Sequence, residues 1–192
     1  MGFLFVVSQA QKWVAEKVRP GDIVIDATAG NGSDTLFLAR TAGTGGTVYA
    51  FDIQSEALEQ TRNRLESEAD GESLAPVTLV HDGHEVMKDR IASAHHGKIA
   101  AIMFNLGFLP GGSQAVITQT PTTLAALDAA LPLLRSGGIL TVVVYPGHEG
   151  GQAEADAVLA WASEIEPSLA QTVVYRFPQK AAAPYLIALN KR

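Results

Sequence analysis

Short apolar runs alternate with longer amphipathic stretches along this chain. The runs at 23–26, 47–52, 77–81, 99–104 and 139–145 read as strands, each bounded by Gly, Pro, Asp or His. Helical spacing fills the segments between them: Ser8 to Val18, Ser33 to Thr41, Ser55 to Ala69, Glu85 to Ala94, Thr120 to Arg135 and Gln152 to Ile165. Ser55 is placed to cap its helix. Leu58 at the third helical position rules out a capping box, while Glu56 and Glu59 suit the positive end. Pro121 opens the next long helix at its first turn, Pro132 is expected to kink or shorten it, and Ser136-Gly137-Gly138 ends it. Two further strands, 172–177 and 185–190, are joined only by Pro178 to Pro184, which is too short for a crossover helix.

Strands that are apolar throughout and alternate with helices belong to a parallel sheet covered on both faces. The reading is therefore α/β and Rossmann-like: a mostly parallel seven-stranded sheet, helices on both faces, and a last strand antiparallel to the sixth. A length of 192 residues with 47% hydrophobic content suits a single domain spanning 1–192.

Composition narrows the function classes. Without cysteine there are no disulfides and no thiolate zinc sites. A net charge of -6 gives no overall attraction to nucleic acid or to an anionic membrane, so any basic surface is local. The apolar stretch Phe3 to Val7 is too short for a signal peptide or a membrane span, and Val6 does not fit a myristoylation motif after Gly2. A soluble cytoplasmic protein without membrane attachment is expected.

Chemistry concentrates in Asp26-Ala27-Thr28-Ala29-Gly30-Asn31-Gly32-Ser33-Asp34-Thr35, directly after the first strand. A dinucleotide fingerprint requires a third glycine where Thr35 stands, and a phosphate loop requires a lysine that no position between Lys17 and Lys88 supplies. Asp26 and Asp34 would repel phosphate and suit a cationic group such as an amino-acid ammonium. Asp52, ending the second strand 20 residues after Gly32, is placed to hold a ribose diol. Ribose plus ammonium without phosphate describes S-adenosylmethionine. The bland alternative makes Gly30 and Gly32 a tight turn and Asp34 a first-turn acid; Asp52 and the antiparallel last strand weigh against it.

Here the chain resembles a known family. Asp26 to Thr35, Phe51-Asp52-Ile53-Gln54, Asn105-Leu106-Gly107-Phe108-Leu109-Pro110-Gly111-Gly112 and Tyr145-Pro146-Gly147-His148-Glu149-Gly150-Gly151 are similar to the small bacterial class I methyltransferases known as rRNA methylases. The resemblance runs over nearly the whole chain. It implies transfer of a methyl group from S-adenosylmethionine to the tRNA wobble uridine, converting 5-aminomethyl-(2-thio)uridine to its 5-methylaminomethyl form. It also implies cofactor contacts at Asn31, Asp34, Asp52, Gln54 and the Asp82-Gly83-His84 segment, with Asp26, Gly30, Gly32, Thr35 and Ile53 around them. The family motif usually has Tyr where Phe108 stands, so a shared function would imply that a hydroxyl at that point is not essential here.

The acceptor side also has a reading of its own. In doubly wound sheets ligands lie beyond the carboxyl ends of the strands, where the loops carrying Asn105, Tyr145 and Pro178 to Pro184 converge. Asn105-Leu106-Gly107-Phe108 resembles the Asn-Pro-Pro-Tyr motif of amino-group methyltransferases. There an amide oxygen and a backbone carbonyl aim an amine, and an aromatic stacks on the base. Catalytic roles fall to Asn105, Leu106, Gly107, Phe108 and His148, and substrate contacts to Phe108, Tyr145, His148, Lys180 and Tyr185. His148, Asp26 or water would take the amine proton.

The remaining histidines, His81, His84, His95 and His96, lack metal-site spacing and no metal is expected. Trp13 and Trp161 read as core. Arg62, Arg64, Lys88, Arg90, Lys98 and Lys180 are candidates for an RNA-facing strip, against the default of solvated helix faces. Partners expected are tRNA through its anticodon region and a second copy in a homodimer. Methylation of rRNA, methylation of a small amine metabolite, and cofactor sensing without catalysis are the alternatives; the intact Asn105 loop opposes the last.

Overall fold

Side chains alternate across every central strand, and both sets are buried. The computed structural model describes residues 2–68, 71, 73–107, 117–180 and 182–192. In β2 (Thr47–Asp52), Tyr49 and Phe51 enter one core while Val48 enters another. Likewise Ile102 and Phe104 of β4 (Ile99–Asn105) oppose Ala101 and Met103. Such two-sided burial is what the uninterrupted apolar runs require. Each fully buried side chain, such as Phe51, Phe104 or Ile25, contributes about 1.5–3 kcal/mol.

Helices α1 (Val6–Lys17) and α2 (Ser33–Ala42) cover one face, and α5 (Thr120–Leu133) and α6 (Gly151–Glu164) cover the other. With α3 (Ser55–Glu68) and the short α4 (Met87–Arg90), they surround a seven-stranded sheet of order β3-β2-β1-β4-β5-β7-β6. The strands not yet placed are β1 (Ile23–Asp26), β3 (Val77–His81), β5 (Leu134–Val144), β6 (Ala170–Tyr175) and β7 (Tyr185–Lys191). Pairs β1–β2, β2–β3, β1–β4 and β4–β5 are parallel. As expected, β7 runs antiparallel to β6; it also inserts between β6 and β5. The crossover through α6 leaves one place open in the sheet, and the short hairpin returns β7 into it.

Strand order reverses between β1 and β4, so their carboxyl ends splay and open a crevice. Hydrogen bonds keep the chain in register past β1: the Ala27 amide donates to the Met103 carbonyl and the Ala29 amide to that of Phe51, both at 2.8 Å.

Three expectations need correction. Ser55 is the first residue of α3 rather than its cap, and the Leu58 amide donates to the Gln54 carbonyl. The helix expected over 85–94 is two separate turns at His84–Val86 and Ser93–His95 flanking α4, because Ile91 turns extended and is buried. Finally, α5 stops at Leu133, one residue after Pro132, instead of reaching Arg135. Proline lacks the amide that would donate to the Asp128 carbonyl, and at the helix end the Lys191 ammonium donates to the carbonyls of Leu131 and Leu134 at 3.0 and 2.7 Å. Among the described residues no helix is long and apolar enough to cross a membrane.

Candidate active site

A cavity of about 610 Å³ opens at the carboxyl ends of β1, β2 and β4. Of the residues expected to meet a cofactor, Gly30, Asn31, Asp34, Asp52, Ile53, Gln54, Asp82, Gly83 and His84 line it. Asn105, Leu106, Gly107, Tyr145 and His148 of the acceptor set line the same space. Phe108 and the rest of its Leu-Pro-Gly-Gly string lie outside the described residues.

The glycine turn is organised from beneath. Asp26 is 1% exposed and does not reach the cavity wall. Its carboxylate accepts the Thr28 amide at 3.1 Å and the Thr35 hydroxyl at 2.6 Å, which locks the turn to the start of α2. The direct ligand contact expected of Asp26 and Thr35 is thus replaced by support. Gly30, with φ of 53°, donates its amide to Asp52 Oδ2 at 2.9 Å, and Asp52 Oδ1 accepts the Gln54 amide at 2.9 Å. Held on both oxygens, the carboxylate keeps further lone pairs for a ligand.

Gly32 serves another purpose. At φ +81° a Cβ there would stand 2.7 Å from Thr61 Cα, so glycine allows α3 to pack on the turn rather than admitting a ligand. Thr61 in turn donates its hydroxyl to the Gly30 carbonyl at 3.2 Å.

Acids dominate the electrostatics. Burial, then the nearby charge of Asp34, raises the Asp26 carboxyl from its ordinary 3.8 to about 7. Asp34 is raised as well, chiefly by burial, and eased by the Gln11 amide that donates to it at 2.7 Å. A positively charged ligand would complement this acidic wall. His84 is held neutral by burial, its Nδ1 bonded to the Ala27 carbonyl at 3.2 Å. It is buried and lines the cavity, where the resemblance placed it. Asp82 is kept low, first by the hydrogen bond from Arg90, whose Nε lies 2.8 Å away. Among the described residues no group of three or more His, Asp or Glu is arranged to hold a metal ion.

On the acceptor side, Asn105 ends β4 with its amide bonded to the Thr28 hydroxyl at 2.7 Å. Its side-chain Oδ1 is buried and accepts no hydrogen bond among the described residues. A buried amide oxygen left this way costs about 1–3 kcal/mol, a cost removed when a donor binds. The Tyr145 hydroxyl beside it is raised by burial and by Asp34, and lowered by a hydrogen bond with the Asn105 side chain. Gly107, at φ +120°, faces the His148 and Tyr145 rings: a Cβ there would be 3.6 Å from His148 Nε2. His148 Nδ1 donates to the Glu149 carbonyl at 2.9 Å.

Two expected substrate contacts fall elsewhere. Tyr185 is 3% exposed and gives its hydroxyl to the Ala155 carbonyl at 3.1 Å, making it a core residue. Lys180 is exposed and off the cavity wall, in a loop that packs on the His148 loop through Ala182 and Gly147.

The family described as "Putative rRNA methylase" matches residues 48–191. A chloroplast tRNA (mnm(5)s(2)U34)-methyltransferase of Arabidopsis thaliana is 36% identical over 202 residues, covering 100% of this chain and 73% of that protein. This chain belongs to the rRNA methylase family. Solved structures agree: a "putative rRNA-methylase" of Clostridium thermocellum has a TM-score of 0.92 at 35% identity over 100% of both chains. A "putative methyltransferase" of Streptococcus mutans, determined in complex with SAH, has a TM-score of 0.87 at 34% identity, again over 100% of both chains.

As an rRNA methylase family member, the protein is a methyltransferase, and its cofactor is S-adenosylmethionine. The cavity fits that molecule: a preset carboxylate for a diol and a buried acidic wall for positive charge. Residues missed from sequence complete the wall. Val7 and Thr118 line the cavity, Thr118 on the Gly107 side, while Gln11, one helical turn after Val7, supports Asp34 from behind the wall. Glu154 had a legible signal, since a carboxylate stands on the buried stripe Gly151, Ala155, Val158, Ala162 of α6.

Proposed function

We propose that this enzyme methylates an amino nitrogen on RNA, namely the 5-aminomethyl group of the tRNA wobble uridine, and acts in the cytoplasm. The buried Oδ1 of Asn105, unpartnered among the described residues and on the wall of a methyl-donor cavity, carries this reading, because it asks for an N–H donor. The likeness to a relative named as a tRNA (mnm(5)s(2)U34)-methyltransferase supports the same acceptor. S-adenosylmethionine supplies an electrophilic methyl on a sulfonium. Asp52 holds the ribose, and Asp34, with Asp26 behind it, answers the ammonium.

Asn105 accepts one N–H of the acceptor amine and fixes the direction of its lone pair, since methyl transfer depends on alignment. An alkylamine is mostly protonated at neutral pH, and entry into the cavity favours its neutral form. Asp26, sealed beneath the turn, does not reach that proton. The His148 ring lies beside Gly107 and Tyr145 on the cavity wall, which supports a role for it in taking that proton. The anticodon loop enters on the His148 side, and a homodimer in solution belongs to the same reading.

Incubation of tRNA bearing 5-aminomethyl-(2-thio)uridine at the wobble position with enzyme and labelled donor, followed by nucleoside mass spectrometry, tests this. Label in 5-methylaminomethyl-(2-thio)uridine is expected. Label confined to rRNA or to a small amine refutes it.

A further inference from the structure

Glu154 is 4% exposed, and both of its carboxylate oxygens are occupied by hydroxyls from outside its own helix. Oε2 accepts from Thr118 and Oε1 from Thr123, each at 2.7 Å. Neither partner is a cation, so among the described residues this buried carboxyl group is met by hydroxyl dipoles. A buried carboxylate is an expensive way to add stability, because apolar residues of similar size usually serve as well.

The Thr118 hydroxyl that donates to Glu154 also accepts the Gly107 amide at 2.9 Å. The Thr118 amide closes a second bond onto the Gly107 carbonyl, again 2.9 Å. Gly107 is thereby clamped at φ +120°, a conformation that its lack of Cβ permits but does not select. The next two residues toward the N-terminus are Leu106 and Asn105, and the Glu154 charge also reaches His84 on the cavity wall.

We propose that Glu154 is a positioning residue for methyl transfer: through the Thr118 hydroxyl it fixes the Gly107 backbone, and so aims the Asn105–Gly107 loop at the acceptor nitrogen. This rests on the amine-methylating reading above. Glu154 does not line the cavity and acts through Thr118; a hydroxyl hydrogen-bonded to a carboxylate is a stronger and more directional acceptor for an amide than a free one.

The decisive variant is Thr118→Val in the full-length enzyme, which keeps the shape and removes both hydroxyl bonds; Thr118→Ser restores them. With tRNA bearing 5-aminomethyl-2-thiouridine, Thr118→Val should lower kcat by roughly 10²-fold through misalignment, with S-adenosylmethionine affinity unchanged by calorimetry. Thr118→Ser should recover most of the rate. Glu154→Gln should lower kcat in the same direction, since an amide has one acceptor oxygen where the carboxylate has two. Amide hydrogen exchange at Gly107 should quicken in Thr118→Val and Glu154→Gln.

Parental kcat in Thr118→Val, a loss that follows cofactor affinity, or a serine variant as slow as valine overturns the proposal. If the parental enzyme methylates no tRNA, the substrate reading fails instead, and exchange at Gly107 still decides: unchanged exchange in Thr118→Val overturns the clamp by itself.

Discussion

The Gly30 amide donates a 2.9 Å hydrogen bond to Asp52 Oδ2, joining the turn after β1 to the end of β2. One carboxylate therefore shapes the cavity floor and presents its remaining lone pairs to the ligand. Asp52→Ala should weaken S-adenosylmethionine binding by about 1.5–3 kcal/mol for each charge-assisted hydrogen bond lost. Calorimetry reads this directly, and unchanged affinity removes Asp52 from the ribose site.

The acidic wall sets a pH dependence. Asp26 stands at about 7 in the folded protein against an ordinary 3.8, so between those values the folded state binds the extra proton. Stability therefore falls as pH rises through that window, and the burial penalty is fully felt above pH 7. Asp34, also raised, acts in the same direction. Thermal unfolding without cofactor should shift to lower temperature from pH 5 to pH 8. Asp26→Asn should flatten that slope, and S-adenosylmethionine, by adding positive charge, should reduce it. A pH-independent midpoint in the parental protein contradicts the assignment.

Gly32 is predicted to be a stability position. Alanine would place a Cβ 2.7 Å from the Thr61 backbone at a φ of +81°, so α3 must move. A loss of about 1–3 kcal/mol is expected in denaturant unfolding, from overpacking and backbone strain together. A variant as stable as the parent shows that α3 yields freely.

These three residues also show what a sequence can disclose. Asp26 and Asp52 are legible because each ends an apolar strand, and strand ends gather at one edge of a parallel sheet. Whether an acid there faces the ligand or supports the turn depends on Thr28 and Thr35, small polar residues that look alike in a turn. Gly32 has the spacing of a ligand-approach glycine, but its neighbour Thr61 comes from another helix. Gln11 and Glu154 act across 23 and 36 or 31 residues, and no local pattern encodes such pairings. Pro132 did mark a helix end, while the Lys191 contact that completes it was beyond local spacing.

The basic residues separate by position. Lys98 precedes β4 and so stands at the amino end of the sheet, opposite the cavity, while Lys180 belongs to the loop packed on the His148 loop. Lys180→Glu should raise KM for tRNA and lessen its salt dependence, whereas Lys98→Glu should change neither. Arg64 and Arg90 are already paired with Glu68 and Asp82. Equal effects at Lys98 and Lys180 would refute an RNA path over the His148 side.

Asn105 offers the sharpest test of the chemical step. Its Oδ1 is buried and has no hydrogen-bond partner among the described residues, while its backbone amide is anchored to Thr28. Asn105→Ala removes the acceptor and leaves the anchor, so turnover should fall roughly 10²-fold with cofactor affinity nearly unchanged. Asn105→Asp still accepts the N–H but adds a negative charge that stabilises the amine as ammonium, whose lone pair is unavailable. Its pH–rate profile should therefore move to higher pH, whereas alanine lowers the rate without that displacement. Should both variants methylate tRNA at the parental rate, Asn105 is a loop anchor and something else aims the nitrogen.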